Sequence, residues 1–147
     1  MAALRRARVI WTGDLVRGKG AISAESSGLF KDAPVTWASR TERSNGKTSP
    51  EEMLAAAHAS CFAMALSFGL GNAGTPPERL EVIATVTFDQ VAGGGFKVKS
   101  SALEVTGRVP KIDAQAFQVA AESAKNNCAI SQALKGNVEL SLRVALT

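Results

Sequence analysis

The sequence predicts an α+β fold in which antiparallel sheets hold two helices, in the order β-β-β-α-β-β-α-β. Three observations lead there. An alanine-rich helix opens at a capping signal at Ser49. An alternating apolar run from Leu80 turns at Gly93-Gly94-Gly95 and comes back. A second capped helix at Asp113 precedes a last apolar run near the C-terminus. At 147 residues the chain is read as a single domain, 1–147, because two halves would each be too small for a good core.

Arg8 to Thr12 (RVIWT) reads as a strand. Gly13-Asp14 and Arg17-Gly18-Lys19-Gly20 read as turns, with Ala21 to Ser26 as the returning strand. Pro34 to Ala38 is a short third strand, and the polar stretch Thr41 to Thr48 is a loop around Asn45-Gly46. Ser49 then stands at N-cap, Pro50 at the first helical position and Glu52 at the third. This is a capping box in which proline sits where its missing N–H costs nothing. The helix carries alanine at 55, 56, 57, 59, 63 and 65 and ends near Gly69 to Gly74. Small residues on most turns suit a helix that other backbones approach closely.

Leu80, Val82, Ala84, Val86 and Phe88 recur at every second position, the mark of a strand with one buried face. Phe96 to Val109 returns as its antiparallel partner. Asp113 caps a helix from Ala114 to about Lys125, which Asn126-Asn127 breaks. A helical turn, Gln132 to Lys135, and a strand, Val138 to Leu146, complete the chain.

Composition narrows the function classes. Hydrophobic residues are 46% and charged residues 20%, which excludes disordered and low-complexity chains. The apolar stretch around Leu54 to Leu70 is interrupted by His58, Ser60 and Ser67, so it reads as a core helix and no membrane partner is expected. Net charge is +4 with scattered Lys and Arg and 5% aromatics, so no nucleic-acid partner is expected either. Arg5, Arg6 and Arg8 are followed by no apolar segment of the secretory kind, and the expected location is the cytoplasm. A closed zinc site takes about four ligands. Cys61, Cys128 and His58 supply at most three, and no metal is expected.

The chemistry therefore turns on two cysteines. Cys61 falls in the middle of the first helix, and Cys128 falls just after the break that ends the second. Each reads either as a small buried hydrophobe or as a reactive thiol, and together as two buried thiols or as a redox pair. His58, three residues before Cys61 on the same helix face, reads as a base or as a packed or surface residue.

The segment Ser49-Pro-Glu-Glu-Met-Leu-Ala-Ala-Ala-His-Ala-Ser-Cys-Phe-Ala-Met-Ala-Leu-Ser67 resembles the signature helix of the osmotically inducible protein C (OsmC) family and its sister group, the organic hydroperoxide resistance proteins. Trp11-Thr-Gly-Asp14 with Arg17-Gly-Lys-Gly20 looks like the family's N-terminal hairpin and favours the OsmC branch. Cys128-Ala-Ile-Ser-Gln-Ala-Leu134 looks like its second-cysteine motif. The likeness runs from Val9 to Leu146. It departs at Ala129, where the family usually has proline.

The resemblance implies an OsmC-like fold, an intertwined homodimer and a thiol-dependent peroxidase acting on organic hydroperoxides. It implies Cys61 as the nucleophile that becomes a sulfenic acid and Cys128 as the thiol that closes a disulfide with it. An external dithiol, dihydrolipoyl groups being the family's suggestion, would then reduce that disulfide. Arg40 would hold the thiolate and polarise the peroxide, with Arg43 as the competing match, and Glu51 would orient the arginine. Phe30, Trp37, Met53, Leu54 and Phe68 are the apolar candidates for the substrate tail. No cofactor is called for. Glu51 and Cys61 are ten residues apart on one helix, a rise of about 15 Å, so a glutamate serving Cys61 would serve that of a partner chain. A redox sensor built on the same cysteines, and a non-catalytic binder of apolar ligands, are the other readings.

Overall fold

The aspartate in the first turn decides where the first hairpin begins. The Asp14 carboxylate accepts from the amides of Val16 and Arg17 at 2.9 and 2.8 Å, and the Gly18 amide donates to the Asp14 carbonyl at 2.8 Å. With the turn closed by Gly18, the next residues are free to pair. Strand β1 (Ala7–Thr12) therefore runs antiparallel to β2 (Lys19–Ala24), with Thr12 opposite Lys19 and Trp11 opposite Gly20. The sequence reading placed Lys19-Gly20 in the turn and started this strand at Ala21; the structure moves its start two residues earlier. Gly20 is required there, since a Cβ would lie 2.8 Å from the Trp11 ring and 2.7 Å from Val35.

Strand β3 (Ala33–Val35) completes a sheet of order β1-β2-β3 in the computed structural model, which describes residues 1–147. The expected strand over 34–38 stops at Val35 because Thr36 caps a helix, α1 (Trp37–Thr41). The Thr36 hydroxyl accepts from the Ser39 amide at 3.1 Å, and the Ser39 hydroxyl accepts from the Thr36 amide at 3.0 Å. This is a capping box with serine in the place usually held by glutamate or glutamine.

Helix α2 (Pro50–Asn72) starts as expected, with the Ser49 hydroxyl accepting from the Glu52 amide at 3.1 Å. The second half of the expected box is replaced: the Glu52 carboxylate accepts from the Thr48 hydroxyl at 2.7 Å. The chain forms two compact units, Met1–Met53 and Leu54–Thr147, and the boundary falls inside this helix. By length and apolarity α2 could cross a membrane. Yet its stripe of His58, Phe62, Leu66 and Leu70, four residues apart, is buried in the protein's own core.

In the second unit β4 (Arg79–Gln90) and β5 (Phe96–Arg108) form the expected antiparallel pair, with a register shift at Thr87/Phe88. Strand β6 (Glu139–Leu146) pairs with β5 in parallel, giving the order β4-β5-β6. This corrects the expectation of wholly antiparallel sheets. The β5–β6 connection carries helices α3 (Ala114–Asn127) and α4 (Ala129–Leu134), and a crossover of that length permits a parallel return. Asp113 caps α3 as expected, accepting from the Ala116 amide at 2.7 Å. Asn126 and Asn127 do not break the helix but finish it, and the short helical turn lies at α4, three residues earlier than expected.

Ser101, Leu103, Val105 and Gly107 of β5 face the core, where Phe62, Leu66 and Phe117 are fully buried. Gly107 matters for its missing side chain, because a Cβ there would run into the Phe117 ring. Gly107→Ala is expected to cost about 1–3 kcal/mol through overpacking. Urea unfolding checks this as a lower midpoint at unchanged slope, and shortening Phe117 to Leu in the same chain should recover part of the loss.

Candidate active site

The elements of the second unit bring the two cysteines together. Cys61 is half-buried on α2, Cys128 is buried at the joint between α3 and α4, and both are free thiols. Their side chains are hydrogen-bonded to each other, and the consequences are opposite. Burial pushes the Cys61 thiol up, but hydrogen bonds from the Cys128 side chain and from the amides of Ile130 and Ala129 outweigh it and hold Cys61 below the ordinary thiol range. Burial also pushes Cys128 up, the bond to Cys61 adds to this, and the amide and hydroxyl of Ser131 offset only part. One cysteine is thus disposed to be a thiolate and the other to remain a thiol.

His58 is not at the surface beside Cys61 but wholly buried. Its Nδ1 lies 2.6 Å from the Ser101 hydroxyl and its Nε2 lies 2.8 Å from the Ser131 hydroxyl. Desolvation lowers its pKa, so the ring is neutral at pH 7. The structure shows the packed residue and not the surface one. Both serines went unremarked in the sequence reading. Ser101 was detectable as the polar member of an otherwise apolar alternation, Ser101-Leu103-Val105.

The first unit carries the other candidate groups. Arg40, in the last turn of α1, meets Glu51 in the first turn of α2: Nε lies 3.0 and 3.1 Å from the two carboxylate oxygens, and Nη2 lies 2.7 Å from Oε1. The Glu51 side chain is 9% exposed and that of Arg40 29%. The guanidinium carbon also stands 5.9 Å from the Trp37 ring centre. Arg43, the competing choice, is exposed in the loop beyond α1, so Arg40 is the arginine paired with Glu51.

Arg40 and Trp37 line an apolar pocket of about 200 Å³ together with Val9, Trp11, Ile22 and Val35. Trp37 lines this pocket, whereas Phe30 and Met53 do not. In the second unit Phe68 is 73% exposed and borders a shallow groove with Met64 and Leu80, which Leu54 does not line. The strand residues Val9, Trp11 and Ile22 were missed as lining residues. The available signal was the run Val9-Ile10-Trp11, apolar on both faces of a strand.

Residues 43–143 match the family model for OsmC-like proteins. The chain belongs to the OsmC family. It is 40% identical over 144 residues to the peroxiredoxin OsmC of Escherichia coli (strain K12), covering 98% of this chain and 99% of that one. It is 29% identical over 103 residues to the organic hydroperoxide resistance protein of Xanthomonas axonopodis pv. citri, covering 67% of each. The fold is that of the organic hydroperoxide resistance protein OhrB of Bacillus subtilis, with a TM-score of 0.76 at 26% identity, covering 97% of this chain and 99% of that one.

Against that family background the alanine after the second cysteine takes on a role. Ala129 supplies one of the amides that hold Cys61 down, and a proline there would have no N–H to give. Ala129→Pro is expected to raise the Cys61 pKa and move the acid limb of its alkylation rate to higher pH. Iodoacetamide kinetics across pH measure this directly; an unmoved limb would show that the Ala129 amide contributes nothing.

Proposed function

We propose that this protein is a thiol-dependent peroxidase that reduces organic hydroperoxides to alcohols through a Cys61 sulfenic acid and a Cys61–Cys128 disulfide. The observation that carries the reading is a pair of free cysteines from two elements packed into one core cluster and hydrogen-bonded to each other, which pushes one down and the other up. The Cys61 thiolate attacks the distal peroxide oxygen, the O–O bond breaks, and the alkoxide leaves as alcohol after taking a proton. Cys128 then attacks the sulfenic sulfur, water departs and a disulfide remains. An external dithiol, of the dihydrolipoyl kind, returns both cysteines to thiols. Such a cycle suits the reducing cytoplasm, where structural disulfides are rare.

The arginine pocket supplies the remaining function in this reading. A guanidinium oriented by Glu51 at the edge of an apolar pocket suits a substrate with a polar peroxide head and an alkyl tail. Cys61→Ser is expected to abolish consumption of tert-butyl hydroperoxide. Cys128→Ser is expected to react once and then stall or over-oxidise, because the sulfenic acid has no resolving thiol. Turnover of the Cys128 variant at the wild-type rate would overturn the two-cysteine cycle, and a single reaction by the wild type under excess dithiol would favour a sensor.

The working enzyme in this proposal is an intertwined homodimer whose sites each combine the cysteines of one chain with Arg40 and Glu51 of the other. Support comes from the apolar side chains left exposed, among them Val9, Ile10, Met64 and Phe68, which are 51–73% accessible in the single chain. Mixing Cys61→Ser protein with Arg40→Ala protein tests it. Each parent should be inactive, and subunit exchange should restore one complete site per mixed dimer. A monomer in solution, or no recovery after verified exchange, would overturn it.

A further inference from the structure

The peroxidase reading leaves the resolving thiol with a difficulty. Cys128 must lose a proton as it attacks, yet it is 1% exposed and its pKa is raised by burial. Ser131, three residues on in the first turn of α4, donates to its sulfur from both the amide and the hydroxyl. Ser131 is itself buried, and its hydroxyl is 2.8 Å from His58 Nε2. On the far side of the ring, Nδ1 is 2.6 Å from the Ser101 hydroxyl. A continuous line of hydrogen-bonding groups thus runs Cys128–Ser131–His58–Ser101, through parts of three elements, and nothing in the peroxidase cycle as derived above uses its far end.

We propose that His58 is a positioning residue for disulfide closure, holding the Ser131 hydroxyl so that it donates to the Cys128 sulfur and steadies the developing thiolate as that sulfur attacks the Cys61 sulfenic acid. The Ser101 hydroxyl donates to Nδ1 and Nε2–H donates to the Ser131 oxygen, which leaves the Ser131 hydroxyl proton for the Cys128 sulfur. As the S–S bond forms, the S–O bond of the sulfenic acid breaks and its electron pair leaves with hydroxide. The hydroxide takes the proton that Cys128 gives up, and the products are one disulfide and one water. Cys128 is oxidised and the sulfenic sulfur of Cys61 is reduced. Ser131 borders a cavity of about 240 Å³, which gives that water an outlet. The titratable groups around the line are Cys61 on α2, Cys128 before α4, and Lys125 and Lys135, which border that same cavity.

This inference rests on the peroxidase reading, and one experiment separates the two. Reduced full-length protein is mixed rapidly with one equivalent of tert-butyl hydroperoxide, and quenched samples are scored for sulfenic acid and for disulfide across pH. In Ser131→Ala, closure is expected to slow about 100-fold relative to sulfenic acid formation, the usual scale for losing one donor to a developing anion. Its rate should climb with pH as Cys128 ionises unaided. Ser131→Thr, which restores the hydroxyl, should recover closure and the wild-type pH profile. His58→Asn should behave as Ser131→Ala does, and the serine variants decide the matter if it does not fold. Closure at the wild-type ratio and pH profile in Ser131→Ala would overturn the proposal. So would an equal slowing of both steps, which marks a packing defect. A wild type that forms no sulfenic acid would instead overturn the peroxidase reading.

Discussion

A single buried imidazole holds the geometry on which the cysteine chemistry depends. His58 is fully buried, and a ring with two polar nitrogens can sit in an apolar core only if both are paired. Ser101 from β5 and Ser131 from α4 meet that demand. Losing either partner would leave a buried nitrogen unsatisfied, at a cost of about 1–3 kcal/mol. The demand also fixes register. A one-residue slip of β5 would turn Ser101 to the opposite face, so the polar pair specifies an alignment that Leu103 and Val105 alone would enforce less sharply. Because Ser131 is three residues from Cys128, pinning α4 to α2 also pins the second cysteine against the first.

The two thiols show how environment assigns roles to identical groups. Both lose solvation, which alone would raise both. Their shared hydrogen bond then divides them, since a thiol that donates keeps its proton while the sulfur that accepts is stabilised as an anion. The amides of Ala129 and Ile130 add to the same side. They belong to the short helix that begins after Cys128, so the segment carrying Cys128 also tunes Cys61. Opening that segment would change the reactivity of Cys61 and its distance from Cys128 together.

Local signals were legible in the sequence where one residue settles the outcome. Ser49 and Asp113 cap helices as their side chains predict, and the alternation from Leu80 gives a strand with one buried face. Signals failed where a competing local bond or a long connection decided. Thr36 and Ser39 form a box without the usual acidic partner, so α1 read as strand and loop. Asp14 closes the first turn early and releases Lys19-Gly20 into β2. The direction of β6 is set by how the α3–α4 connection crosses, which no local pattern encodes. In the candidate site, the cysteines, Arg40 and Glu51 were legible through the family motifs. Ser101 showed only as a polar member of an apolar alternation and Ser131 not at all, because a buried serine is placed by a partner distant in sequence.

The Arg40–Glu51 pair is better understood as an oriented donor than as a stray positive charge. Its two charges nearly cancel at a distance, so the pair alone draws an anion only weakly. What it offers is direction. Two nitrogens of a planar guanidinium are fixed against one carboxylate, which sets the plane and heading of the group. The anchorage continues outward: the Ser39 hydroxyl lies 2.9 Å from the Thr36 carbonyl and 3.0 Å from the Thr48 carbonyl, tying α1 to the segment that enters α2. Arg40 and Glu51 therefore ride on two elements held to each other by a neighbouring hydroxyl. A donor fixed in this way needs no reorganisation as charge develops on an acceptor before it, and the apolar walls beside it keep that charge from being screened. Lysine at position 40 would preserve the charge and forfeit the plane, so the geometry, more than the sign, is what the arginine contributes.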